Sequence, residues 1–146
     1  MTPYLQLVGH NPDNFSIGDC WRTCIGCLLN MPPEKVPHFC ENSWDDGAKV
    51  EKLTKEWLRL KGFSYIEIPF TCTVDELLAH CAANYPDVYH IISGRVDDGP
   101  NHAMIGLNGH FLWDPSGGED GILNGPLDNQ QLTVTFLIPT IILAGA

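Results

Sequence analysis

Gly18-Asp19-Cys20-Trp21-Arg22-Thr23-Cys24-Ile25-Gly26-Cys27-Leu28-Leu29-Asn30 is the stretch that decides the fold. Cys20, Cys24, Cys27, Leu28 and Met31 recur at helical spacing, and Trp21, Ile25 and Leu29 widen the apolar face. Only Arg22, Thr23 and Asn30 are polar within it, so the helix is expected to be largely buried. Ser16, Gly18 and Asp19 supply a loop in front, with Asp19 placed to cap the free N–H groups. One cysteine then lies at the open, positive end of the helix and two lie inside. A thiol at a helix N-terminus has its thiolate favoured, whereas an interior thiol stays neutral and inert. The expectation is that Cys20 is a nucleophile and that Cys24 and Cys27 are core.

Outward from this helix, Met31-Pro32-Pro33 stops the hydrogen-bond ladder, and residues 10–17 read as the loop that enters it. Residues 4–8 read as a short strand. Residues 48–61 carry Val50, Leu53, Trp57, Leu58 and Leu60 on one helical face, with Gly62 as C-cap. Residues 65–69 read as a strand, and Thr73 followed by Glu76 opens a helix to about Asn84. Strands follow at 88–93, 102–107, 111–114 and 132–139, with Asn108-Gly109 as a hairpin signal. Residues 114–129 are rich in Gly and Pro and read as loop. Helices come early and strands late, which predicts one α+β domain over residues 1–146 with an antiparallel sheet.

Composition narrows the function classes. The chain has 146 residues, 44% hydrophobic and 18% charged, a globular composition. Eight Lys and Arg against 18 Asp and Glu give a net charge of −10, which argues against nucleic acid or an anionic membrane surface as partner. Residues 1–7 lack the basic-then-apolar pattern of a signal peptide, and the apolar run at 132–146 is broken by Pro139 and too short to span a bilayer. Six cysteines without a signal predict a cytoplasmic protein with reduced thiols.

A cysteine nucleophile needs a base, a group that orients the base, and donors for the developing oxyanion. His102 opens one strand and Asp114 ends the strand paired with it. Strand parity tests that assignment. A two-residue Asn108-Gly109 turn pairs Leu107 with His110 and therefore Ala103 with Asp114, which sends His102 and Asp114 to opposite faces. The two side chains meet only if the connection has an odd length, or if one bulge follows a two-residue turn.

These residues resemble a known family. Gly18-Asp19-Cys20-Trp21 is similar to the Gly-Ser-Cys-Trp around the nucleophile of papain-like cysteine peptidases, which also begins a central helix. The run as a whole resembles short phage- and bacterium-encoded papain-like proteins related to the bacteriocin-processing peptidases. Those carry Asp-Cys-x-x-Ala-Cys, a Val-Pro-x-Phe, then a His and an Asp-Pro. The corresponding residues are Asp19 to Cys24, Val36-Pro37-His38-Phe39, His102 and Asp114-Pro115. The resemblance implies a papain-like fold and a Cys20-His102-Asp114 triad that cleaves an amide, peptide or isopeptide bond of a protein or peptide through a thioester, with no cofactor and no metal. It places the oxyanion-donating amide six residues before the nucleophile, where Asn14 stands for the family's Gln, beside the Cys20 backbone N–H.

Two rivals belong to other classes. One is a papain fold that only binds. The other reads Cys20-x3-Cys24-x2-Cys27 as the cluster ligands of a radical S-adenosylmethionine enzyme, or as a zinc site. Against the metal reading stand Gly26 before the third Cys, and a helical pattern that does not wrap three ligands around one ion.

Overall fold

The helix forms over Cys20–Leu29 (α1) in the computed structural model, which describes residues 1–11, 17–97, 99–118 and 121–140. Its end is set by two residues. Asn30 takes the left-handed conformation (φ 55°, ψ 39°), and Met31 N–H returns to Gly26 O at 2.8 Å. A Cβ on Gly26 would stand 2.4 Å from Met31 O, so the chain turns back over the helix only because that position has none. A single 3-10 turn, Pro33–Lys35, follows the prolines.

Two further helices begin where the sequence has capping side chains. Gly47–Leu60 (α2) starts with Asp46 accepting from Lys49 N–H at 3.1 Å. Val74–Asn84 (α3) starts with Thr73 Oγ1 accepting from Glu76 N–H at 3.1 Å. The capping box that Thr73 and Glu76 could form is only half made, because the Thr73 hydroxyl donates to the Glu76 carboxylate at 3.0 Å.

The strands are Phe63–Phe70 (β1), His90–Arg95 (β2), Asn101–Leu107 (β3), His110–Trp113 (β4) and Leu132–Pro139 (β5). They form one sheet in the order β1-β5-β2-β3-β4, every neighbouring pair antiparallel. Three helices and an antiparallel sheet make the fold α+β. Residues 4–8, expected as a strand, belong to no ladder of this sheet. Their backbone groups are spent on α1 and on the loop after β4.

Period-two alternation on the central strands feeds two separate clusters. Ile91, Ala103 and Ile105 pack with Cys24, Ile25 and Cys27 of α1 and with Leu58 of α2. Ile92, Met104 and Val134 pack with Leu77 and Cys81 of α3 and with Leu123 and Leu132. Both faces of β2 are therefore buried, and Ile91 and Ile92 are each 0% exposed. Trp21 Nε1 donates to Thr54 Oγ1 at 3.0 Å, which ties α1 to α2. Among the described residues no helix is long and apolar enough to cross a membrane.

Candidate active site

The β3–β4 hairpin is where sequence parity and structure meet. Asn108 (φ 51°) and Gly109 (φ 79°) are both left-handed, as a two-residue hairpin turn of this kind requires. Leu107 pairs with His110 and Gly106 with Phe111, but Ile105 pairs with Trp113, so Leu112 is an extra residue on β4. This bulge moves Asp114 by one position and onto the face of His102. The two side chains then bond, His102 Nε2 to Asp114 Oδ1 at 2.8 Å, with His102 4% and Asp114 13% exposed. The connection is a two-residue turn plus one bulge, one of the two forms that parity demanded.

Asp114 is held before it meets the histidine. Its Oδ1 also accepts from Ser116 N–H at 2.9 Å and from Ser116 Oγ at 2.8 Å. The Asp-Pro-Ser turn thus fixes which oxygen faces the ring. Nε2 is the ring nitrogen that faces that oxygen.

Cys20 lies at the first position of α1, where backbone N–H groups have no partner within the helix. It is half-buried, and it shares a cleft of about 150 Å³ with His102, Gln6, His10, Val96 and residues 99–101. Cys24 and Cys27 are both fully buried. Burial pushes the Cys24 thiol well above its ordinary range, and the charges of Cys20, Cys27 and Asp114 push it further. Burial also raises Cys27, against the lowering effect of the Tyr4 backbone beside it. Cys40 and Cys81 are pushed up to about 11 by burial, the latter helped by Cys72. These four thiols stay protonated and inert near neutral pH.

Residues 4–8 cross the site and join its two halves. Tyr4 O accepts from Trp113 Nε1 at 2.8 Å, and Gln6 N–H donates to Pro115 O at 2.8 Å. Leu7 and Val8 N–H donate to the Asp19 carboxylate at 3.2 and 2.9 Å. Asp19 therefore does not cap α1 as expected. Its carboxylate makes no capping bond to a backbone N–H of the helix, because the passing segment and the Arg22 side chain, whose Nε lies at 2.8 Å, take both its oxygens.

Of the residues singled out in the sequence, Cys20 and His102 line one cleft, and Asp114 is bonded to His102. Asn14 lies outside the described residues. Gln6 was missed, yet it lines the cleft with Cys20 and His102. Its Nε2 donates one hydrogen to Val8 O at 3.1 Å, and its Oε1 is buried with no hydrogen-bond partner among the described residues. The usable signal was chemical, since Gln6 carries the same amide as the donor that the resemblance expects at position 14. Its separation of 14 residues from Cys20 hid it.

Cys20, Cys24 and Cys27 lie along one continuous helix with the last two in the core, which is not the loop geometry that cluster or zinc ligands need. Among the described residues no group of three or more His, Cys, Asp or Glu side chains is arranged to hold a metal ion. Compared with known proteins, the chain matches no family model, no curated protein and no solved structure.

Proposed function

We propose that this chain is a papain-like cysteine hydrolase that cleaves an amide, peptide or isopeptide bond of a protein or peptide substrate in the cytoplasm. The observation that carries the reading is the buried 2.8 Å bond from His102 to Asp114 at a cleft shared with Cys20.

In this mechanism Asp114 orients the ring through Nε2, and Nδ1 of His102 takes the Cys20 proton. The thiolate attacks the substrate carbonyl, forming the C–S bond and an oxyanion. Cys20 N–H and Gln6 Nε2, which has one hydrogen left after Val8, donate to that oxyanion. His102 then gives its proton to the leaving amine as the C–N bond breaks. Water attacks the thioester, His102 accepts its proton, the C–S bond breaks and the thiol is restored. No step requires a cofactor. Gln6 takes the role that the resemblance assigned to position 14.

The test is to treat the intact chain with a limiting dose of a peptide-like electrophile and locate the adduct by mass spectrometry, alongside turnover of peptide and isopeptide amide probes. The reading expects Cys20 to be modified first, and turnover to vanish in Cys20→Ala. Equal labelling of Cys20 and Cys72 would remove the basis for a nucleophile. Selective labelling with no turnover of any probe would favour a papain fold that only binds.

A further inference from the structure

Asp19 is 1% exposed and stands immediately before the nucleophile, yet its carboxylate does not cap the helix that the nucleophile begins. Its Oδ1 accepts from Val8 N–H at 2.9 Å, and its Oδ2 from Leu7 N–H at 3.2 Å and Arg22 Nε at 2.8 Å. The Arg22 side chain is 13% exposed, and its Nη1 is held by Val36 O at 3.1 Å. The backbone repeats the link, with Asp19 N–H donating to Val8 O at 3.3 Å. A carboxylate that capped α1 in the ordinary way would bond to the Trp21 or Arg22 N–H, at the helix end that carries Cys20. It would also set a negative charge beside a sulfur that must become negative.

We infer that the buried Asp19–Arg22 pair is the positioning device of the nucleophile. The Asp19 carboxylate clamps the segment that carries Gln6 against α1, and Arg22 holds that carboxylate off the helix end and cancels its charge next to Cys20. Asp19 and Arg22 act through Cys20 and Gln6 and touch no substrate. The inference rests on the hydrolase reading, because it gives the pair a purpose only if Cys20 works as a thiolate.

The prediction is one of opposite signs. Removing Arg22's charge leaves a buried negative charge beside Cys20 and disfavours its thiolate. Removing Asp19's charge leaves a positive one and favours it. Among the described residues, the other titratable groups about Cys20 include Cys24 on α1, His102 and Asp114 from the hairpin, and His10 across the cleft. They are the same in every variant, so differences between variants report the pair.

The experiment is the pH profile of Cys20 alkylation by iodoacetamide, a neutral reagent, read by peptide mass spectrometry on the full chain. The set is wild type, Arg22→Gln, Arg22→Lys, Asp19→Asn and the double variant Asp19→Asn/Arg22→Gln. Arg22→Gln is expected to move the midpoint up by about one pH unit. Asp19→Asn moves it down, and the double variant and Arg22→Lys stay near wild type. Loosening of the fold alone would not give shifts of opposite sign. A common midpoint in all five proteins overturns the proposal, as does Arg22→Lys moving as far as Arg22→Gln. If Arg22→Gln does not fold, an Asp19→Asn midpoint that is unchanged or raised overturns it equally. If wild-type Cys20 reacts no faster than a free thiol, the hydrolase reading falls first and this proposal with it.

Discussion

The ladder between β2 and β3 carries a histidine opposite a glycine towards each of its ends. His90 pairs with Gly106, and four residues along, Gly94 pairs with His102. Both imidazoles are buried, 0% and 4% exposed, but the glycines serve different neighbours. At the first end the ring lies over Gly106, where a Cβ would come within 2.6 Å of His90 Nε2. Tyr85 and Phe136 close around that ring, its Nδ1 donates to Val88 O at 2.9 Å, and its Nε2 is buried with no hydrogen-bond partner among the described residues. At the second end the space at Gly94 is taken by Gly125 O and Leu132 Cδ2, and His102 turns to Asp114 instead. Burial therefore does not make a histidine a catalyst. Desolvation lowers the His90 pKa and keeps that ring neutral. The bulge at Leu112 gives His102 a carboxylate partner at the edge of the cleft.

Exchanging each ring for a methyl group is the most direct attack on that contrast. His102→Ala should slow Cys20 alkylation at neutral pH by about 10²–10⁴-fold, the worth of a positioned general base, with little change in melting temperature. His90→Ala should leave the reactivity of the folded protein near wild type and cost about 3 kcal/mol of stability, the scale of an aromatic-sized core cavity. A folded His90→Ala protein with an unreactive Cys20 would break the comparison.

Deleting Leu112 is the next largest change. It restores an ungapped ladder and turns Asp114 away from His102, so reactivity should fall towards that of His102→Ala. Asp114→Asn keeps the geometry, because Ser116 N–H and Oγ–H select an oxygen at Oδ1. It should fall far less. If the deletion and Asp114→Asn behave alike, the bulge has no part in assembling the site.

How much of this was readable from the sequence depended on the range of the chemistry. Thr73, Asp46, Asn108-Gly109 and the prolines after Met31 act within a few residues, and the elements they start or stop lie close to where local reasoning put them. The order of the sheet was not legible. β5 inserts between β1 and β2, a pairing more than 30 residues distant that no local signal encodes. In the candidate site, Cys20, His102 and Asp114 were singled out because order and parity constrain them. Gln6 was not, because the length of the loop after it hides how near Cys20 it returns. Asp19 was misassigned for a related reason. Capping is the local use of such a carboxylate, and the donors that outcompeted it come from residues 7 and 8, and from Arg22.

The His90 end should also show itself in the pH dependence of stability. Because burial holds its folded pKa below the ordinary histidine value, the unfolded chain binds the extra proton between the two values. Stability therefore rises with pH through that window and is lost as pH falls below about 6.5. Glu67 works in the opposite sense, since burial and Glu51 raise its carboxyl. Its contribution is present at low pH and is lost as pH rises through that raised value. Melting temperature should drop between pH 7.5 and 5.5 in the wild type and drop less in His90→Gln. Equal slopes in the two proteins would show that another group governs the acid limb.

The smallest expected effect comes from the same change made at both ends, Gly106→Ala and Gly94→Ala. Neither glycine has a positive φ, so the comparison is of space and not of backbone conformation. At Gly106 the added methyl meets side chains, His90 Nε2 at 2.6 Å and Ile92 Cδ1 at 2.8 Å. At Gly94 it meets backbone, Gly125 O at 2.6 Å, as well as Leu132 Cδ2 at 2.8 Å. That carbonyl accepts from Arg95 N–H at 2.9 Å, and beside it Asn124 side-chain bonds with Asp97 anchor the loop that leads to the cleft wall. A ring can tilt, but a stitched strap has to move as a unit. Each variant should lose about 1–3 kcal/mol by overpacking, with Gly94→Ala the larger loss. Only Gly94→Ala should also alter the affinity of the cleft for a reversible peptide-like ligand. A Gly106→Ala protein that weakens ligand binding as much as Gly94→Ala would mean that the two ends of the ladder are mechanically one, and that the division between a structural and a catalytic histidine is not a division of the sheet.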